Sequence, residues 1–362
     1  MAQPFTPRFE ITQGILRYIG TIEACREVIV NSPIVPAWER RFVQEATLRT
    51  VYYGTVIEGN ALSLDQAREV LEGKQVMARQ RDVQEILNYR NVIDYLDRLV
   101  DAHQNLSSNQ AFVYTQEIIC RIQSLAVYRT IEQSVGVYRT DEVVVKSVIP
   151  SEPDFRAPPA RQVPRLMERF LAWLNSEASR QLHPVLRAGI ALYLIVAIHP
   201  FLEGNGRTAR ALATLILFVE GYDIRRLFSL EEHFDRDLAR YYQELQRVSS
   251  QSAQIDQRDL TTWLEYFAEV MAVELTQVKE QVQKLSMDVR LKNKFGRQIA
   301  LSERQIKLVE YMRVHEELYM KDAKQLISQV SEDTLLRDLK DLIKKGLVKK
   351  RGKTKAARYV LV

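Results

Sequence analysis

The chain has 362 residues, 46% hydrophobic and 27% charged, enough for two or three domains that each bury a core. Cys25 and Cys120 make no disulfide framework, and the N-terminus lacks the basic-then-apolar pattern of a signal peptide. No apolar run is long enough to span a bilayer, so a cytoplasmic protein with no membrane partner is expected.

Residues 1–104 read as an N-terminal helical region. Apolar side chains recur at helical spacing over 37–57, and the run ends in Glu58-Gly59-Asn60. Gly59 or Asn60 suits the left-handed residue that closes a helix. Glu58 is then expected in the last turn, where the helix dipole disfavours a negative charge, so it either meets a cation or points into water. Ser63-Leu64-Asp65-Gln66 is a capping box whose helix ends at Gly73, and 82–99 reads as another amphipathic helix. The helical pattern breaks over 138–149, where Val143, Val144, Val145 and Val148 predict a short strand pair. The proline-rich segment 150–164 reads as a loop.

The segment His199-Pro200-Phe201-Leu202-Glu203-Gly204-Asn205-Gly206-Arg207-Thr208-Ala209-Arg210 joins two apolar helices, predicted over 185–198 and 208–219. Pro200 biases His199 away from α geometry, and Gly204 and Gly206 permit a tight turn into the second helix. The N–H groups of that turn converge on a point suited to phosphate. Glu203 is a hard oxygen ligand fit for Mg²⁺, and Arg207 and Arg210 share a helix face. His199 is placed to take a proton from an attacking hydroxyl. The ordinary reading of such a corner is a turn capped by its His and Asn. The run from Gly346 to Thr354 has one residue too many for a P-loop, and Gly204-x-Gly206 lacks the third glycine of a dinucleotide fingerprint.

Towards the C-terminus, Tyr241 and Tyr242 are adjacent on a predicted helix and cannot share one face. Residues 256–296 read as a connecting region, with a helix over 256–291 whose mixed charges suit a solvated face. Over 297–362 the pattern is three helices, the third opened by Ser331 and closed by Gly346, and then a hairpin around Gly352. That order resembles a winged helix-turn-helix domain. Residues 344–358 hold eight basic side chains and no acidic one, a charge of +8 in a chain of net +5. Such a cluster suits DNA, whereas Glu332, Asp333, Asp338 and Asp341 on the third helix suit a protein partner or a soluble hairpin.

The twelve-residue segment resembles the signature of the Fic family, HxFx(D/E)GNGRxxR, with every fixed position filled. The resemblance implies a mainly α fold: a Fic-type helical core over 105–255 with a small β-hairpin flap. It also implies transfer of AMP from ATP to a Ser, Thr or Tyr hydroxyl of a target protein. By that resemblance His199 is the general base and Glu203 holds Mg²⁺. Gly204, Asn205, Gly206 and Arg207 hold the α- and β-phosphates, and Arg210 holds the γ-phosphate. Val145, Lys146, Ser147 and Val148 belong to the flap over the nucleotide, and the Tyr241–Tyr242 pair lines the adenine pocket, with Ser249 where an asparagine is common. A phosphate-transferring branch carries Ala and Lys in place of Gly204 and Gly206, which favours AMP transfer here. Thr55-Val56-Ile57-Glu58-Gly59-Asn60 resembles the family's inhibitory motif, (S/T)xxxE(G/N), in which the glutamate pairs with Arg210. The hydroxyl of that pattern falls on Gly54, with Thr55 one place late. Other readings remain open: AMP removal by the same site, or a DNA-binding regulator that uses the fold as a nucleotide sensor. The oligomeric state, including a homo-oligomer, is also open.

Overall fold

The computed structural model describes residues 3–32, 36–105, 111–132, 135–145, 155–222, 224–285, 301–352 and 357–362. The chain divides into two compact units, 1–30 with 44–279 and 31–43 with 280–362. In chain order the helices up to the flap are α1 (Gln13–Asn31), α2 (Pro36–Val56), α3 (Leu64–Leu71), α4 (Gln80–Asn105) and α5 (Gln116–Ala126). Strands β1 (Val144–Val145) and β2 (Phe155–Arg156) follow, then α6 (Val163–Leu174), the single turn α7 (Glu177–Arg180), α8 (Pro184–Ile198) and α9 (Asn205–Val219). Helices α10 (Leu230–Arg236), α11 (Leu238–Ser249) and α12 (Thr261–Leu285) come next.

The first unit is organised around α8. From Val185 to Ile198 every residue but Val196 is buried, as expected of a helix that is apolar all round. Its one charge, Arg187, is accommodated by pairing with Glu220 and by donating to the Leu174 carbonyl at 2.8 Å. Helix α9 packs along α8 and also contacts α4 and α5. The capping box at Ser63 is present, with Gln66 reciprocating. Helix α2 ends at Val56, so Glu58 lies in the turn beyond it rather than in the last helical turn, and Gly59 closes that turn at φ +91.

Two expectations are corrected. The flap strands are antiparallel, with Val144 opposite Arg156 and Val145 opposite Phe155. The second strand therefore lies in the proline-rich segment read as loop. Prolines at 150, 153, 158 and 159 hide a two-residue strand between them, and Pro164 sits in the first turn of α6. Lys146, Ser147 and Val148 fall outside the described residues. Secondly, the segment read as a solvated connector is largely core. Helix α12 buries Trp263, Leu264, Phe267, Met271 and Leu275, and Trp263 Nε1 donates to the Gly189 carbonyl at 2.8 Å. The charged residues between those positions concealed an apolar stripe at spacings of three and four.

In the second unit, α13 (Glu303–His315), β3 (Leu318–Tyr319), α14 (Met320–Leu326), α15 (Glu332–Lys344), β4 (Val348–Arg351) and β5 (Arg358–Leu361) follow one another. The expected hairpin is β4–β5, and β3 adds a third antiparallel strand in the order β3-β5-β4. Ser302 and Ser331 cap α13 and α15. Two acids of α15 are paired: the buried Asp338 accepts from Arg304 at 2.7 Å, and the half-exposed Asp341 accepts from Gln305 at 2.7 Å. Asp341 is also paired with Lys345. Arg337, Lys340 and Lys344 are exposed on the same helix. Among the described residues no helix is long and apolar enough to cross a membrane.

Candidate active site at the corner between α8 and α9

His199 ends α8 in the left-handed conformation, φ 51 and ψ 60, which histidine tolerates better than most side chains. Gly204 precedes α9 at φ +80, and a Cβ there would also lie 2.7 Å from Val127 Cγ1. Asn205 closes the loop between them from within. Its Oδ1 accepts from Phe201 N at 2.9 Å and its Nδ2 donates to Phe201 O at 2.8 Å. From α5, the buried Gln123 donates to the Glu203 carbonyl at 3.0 Å and accepts from Gly136 N at 2.7 Å. With the loop fixed this way, the first N–H groups of α9 have no helical carbonyl to bond, which is the arrangement anions seek.

Arg139 secures the other side. It is buried, and its guanidinium donates to the carbonyls of His199 at 2.7 Å, Asp141 at 2.8 Å and Pro158 at 2.6 Å. One side chain thus ties both ends of the flap segment to the histidine. His199 Nδ1 faces the Val196 carbonyl at 3.4 Å, which assigns the proton to Nδ1 and leaves a lone pair on Nε2. Burial is the main reason that its pKa falls to about 4, with Arg139 adding to the drop while Val196 and Glu58 oppose it. The imidazole is neutral at physiological pH.

Arg210 is 1% exposed, and its Nη2 donates to Glu58 Oε1 at 2.8 Å and to the Gly54 carbonyl at 3.1 Å. Burial pushes the Glu58 carboxyl up, yet Arg210 and Arg207 together hold it below its ordinary range. The pair is ionised at neutral pH. A Cβ on Gly206 would overlap the Glu58 carboxylate, so the glycine admits the close approach. Arg207 diverges from Arg210: its Nη1 donates to the Ala126 carbonyl at 3.1 Å and lies 3.9 Å from Glu85. The Glu203 carboxylate is 46% exposed, with Arg81 at 3.7 Å.

Glu58, His199, Asn205, Gly206 and Arg210 line one cavity, together with Val145 and Phe155 from the flap. Its far wall is one face of α11, where Tyr242, Leu245, Gln246 and Ser249 recur at helical spacing. Tyr241 also lines it but is core, its ring 4.6 Å from that of Phe234. Ser249 Oγ is 3.2 Å from Tyr193 Oη. Glu203, Gly204 and Arg207 border the loop without lining this cavity, and the Asn205 amide is committed to Phe201.

Residues 113–217 match the sequence profile of the Fic/DOC family. This chain carries a Fic domain. Over 185 residues it is 35% identical to the protein adenylyltransferase Fic of Drosophila mojavensis and, over the same length, 34% identical to that of Drosophila melanogaster. Those matches take in 51% of this chain and 34–35% of the relatives, so the chain spans about a third of their length. Among solved structures, a Fic family protein from Desulfovibrio desulfuricans superposes over 99% of this chain and 98% of its own, with TM-score 0.67 and 22% identity. Fic-1 from C. elegans does so over 75% of this chain and 73% of its own, with TM-score 0.59 and 24% identity. The fold is that of the Fic structures.

The sequence alone missed several side chains that hold the Fic domain's site. Gln123 and Arg139 act through tertiary contacts and carry no local pattern. Phe155, whose ring lies 6.4 Å from that of His199, was obscured by the prolines around it. The cavity residues Leu245 and Gln246 had a signal, since they follow Tyr242 by three and four positions.

Proposed function

We propose that this chain transfers AMP from ATP to a Ser, Thr or Tyr hydroxyl of a target protein, and that Glu58 restrains the reaction. The observation that carries the reading is one cavity holding a neutral His199 and an Arg210 bound to Glu58. In the forward step His199 Nε2 takes the hydroxyl proton, the oxygen bonds to the α-phosphorus, and the bond to the β-phosphate breaks to release pyrophosphate. The N–H groups at the start of α9 and Arg207 receive the α- and β-phosphates. Arg210, freed from Glu58, receives the γ-phosphate, and its Nε has no partner among the described residues. Tyr242, with Tyr241 behind it, offers a face to adenine, and Val145 of the flap lines the cavity where the nucleotide would lie. Glu203 fits Mg²⁺, which takes one or two carboxylates beside phosphate and water, because its carboxylate is half exposed. The ion, when bound, neutralises charge on the phosphates.

The test is incubation of the chain with Mg²⁺, a cell lysate and ATP labelled at either the α or the γ position. Protein labelling from the α position alone is expected, and labelling from the γ position would indicate a kinase. The reverse reaction is a second reading, favoured by Glu58 facing the same cavity as His199, where it would orient a water onto AMP-modified protein. Release of AMP from a purified pre-modified target by the unsubstituted chain would establish it.

For the second unit, three helices with a β3-β5-β4 sheet favour the winged-helix reading. With Asp338 buried against Arg304 and Asp341 paired with Gln305 and Lys345, Arg337, Lys340 and Lys344 stand exposed on α15, near in sequence to Lys349, Lys350 and Arg351. That face suits duplex DNA bound through its phosphates, with the regulator reading as a further consequence. Binding of the chain to a random-sequence duplex that weakens steeply with salt is the expected result; no binding at low salt points to a protein partner. Two free cysteines suit a cytoplasmic setting.

A further inference from the structure

Gly54 stands where the resembled inhibitory pattern has a hydroxyl, and the packing around it gives a reason. Tyr89 of α4, wholly buried, lays the edge of its ring on Gly54. A Cβ at position 54 would overlap that ring, with Cδ1 at 2.8 Å and Cζ at 3.0 Å. Thr55 does not supply the missing bond, since its Oγ1 donates to the Tyr52 carbonyl of its own helix at 2.8 Å. The ring is fixed at its far end: Tyr89 Oη donates to Glu231 Oε1 at 2.9 Å, and Glu231 is itself buried. Burial keeps the phenol protonated and therefore a donor. The carbonyl of Gly54 accepts from the same Arg210 Nη2 that holds Glu58. The residue against which Tyr89 packs is thus itself a ligand of the arginine.

We infer that Tyr89 is a positioning residue: its ring, seated on Gly54, presses the end of α2 against Arg210 and so sets how firmly Glu58 holds that arginine. A contact between ring and glycine replaces a side-chain hydrogen bond as the brace. A side chain at 54 and a ring at 89 compete for one space, so the two positions are coupled. The inference rests on the AMP-transfer reading with Glu58 as the restraint.

The test measures transfer of α-label to lysate protein by the intact chain. Gly54→Ser should raise transfer on the order of 5- to 150-fold, the usual range for coupling between sites, by displacing the end of α2. Placed on Glu58→Gly, the same change should alter transfer little, because the restraint is already gone; damage to the fold would lower transfer in both backgrounds. Tyr89→Phe keeps the ring on Gly54 and loses only its anchor to Glu231, so its transfer should rise less than that of Tyr89→Ala. Tyr89→Ala should raise transfer, and its combination with Gly54→Ser, where the serine fills the vacated space, should fall below both single variants. Should Gly54→Ser fail to fold, Tyr89→Ala decides alone, and no rise in its transfer overturns the inference. If Glu58→Gly is activated while folded Gly54→Ser is not, the inference fails and the functional reading stands. No transfer from Glu58→Gly itself would sink the functional reading instead.

Discussion

Two parts of the site meet at Arg210 and are built in different ways. The corner from His199 to Arg210 is one stretch of chain, closed by bonds between near neighbours such as Asn205 and Phe201. The lock is assembled from afar: Glu58 and Gly54 reach Arg210 across 152 and 156 positions. On the proposed reading, local backbone geometry sets the chemistry and tertiary packing sets its control. Control can change while the reacting groups stay where they are.

The largest expected effect breaks the corner. His199→Ala should lower AMP transfer by about 10²–10⁴ while ATP binding persists, because the lost group acts on the hydroxyl and not on the phosphates. Binding by calorimetry beside the transfer assay checks this, and an equal loss of both would make His199 a structural residue. Breaking the lock should act in the opposite direction. Glu58→Gly is expected to raise transfer about 5- to 150-fold, and adding Arg210→Ala should abolish the gain, since both effects pass through one pair.

A smaller effect separates scaffold from chemistry. Gln123→Leu leaves the Glu203 carbonyl and Gly136 N without their partner, and should cost about 1–3 kcal/mol in thermal unfolding. A variant as stable as the parent would show that the loop is held by Asn205 alone. The smallest effect is an absence of change. His199 sits at about 4 rather than 6.5, so kcat/KM of Glu58→Gly should stay flat from pH 8 to pH 6 as far as this base is concerned. Loss should come only as the pH approaches 4, and removing Glu58, which opposes the drop, cannot move that limb upward. Between 6.5 and 4 the unfolded chain takes the proton first, so this histidine also weakens folding as the pH falls through that window. An acid limb near 6.5 would contradict the buried, neutral imidazole.

Legibility in the sequence followed the same division. Helices α8 and α9, the turn at Gly204 and the stop at His199 rest on apolar runs, proline and glycine, and they could be read directly. The capping box at Ser63 was equally plain. Glu58 could be paired with Arg210 only through the resemblance, because nothing within twenty residues of it names its partner. Arg139 and Gln123 look like surface residues in the sequence and become structural only when carbonyls from other segments surround them. The β2 strand was lost among prolines, and the apolar stripe of α12 among charges. Asp338 and Asp341 counted against a basic face until the fold turned them toward Arg304 and Gln305.

The central claim is that Glu58 and the γ-phosphate compete for Arg210. Calorimetric affinities for ATP and ADP, measured with Mg²⁺ for the parent and for Glu58→Gly, test it most directly. The account predicts that the parent binds the two nucleotides nearly equally, because its arginine is already engaged. Glu58→Gly should prefer ATP by roughly tenfold or more, the worth of a charged hydrogen bond to the third phosphate. The same ATP-to-ADP ratio in both proteins would contradict it.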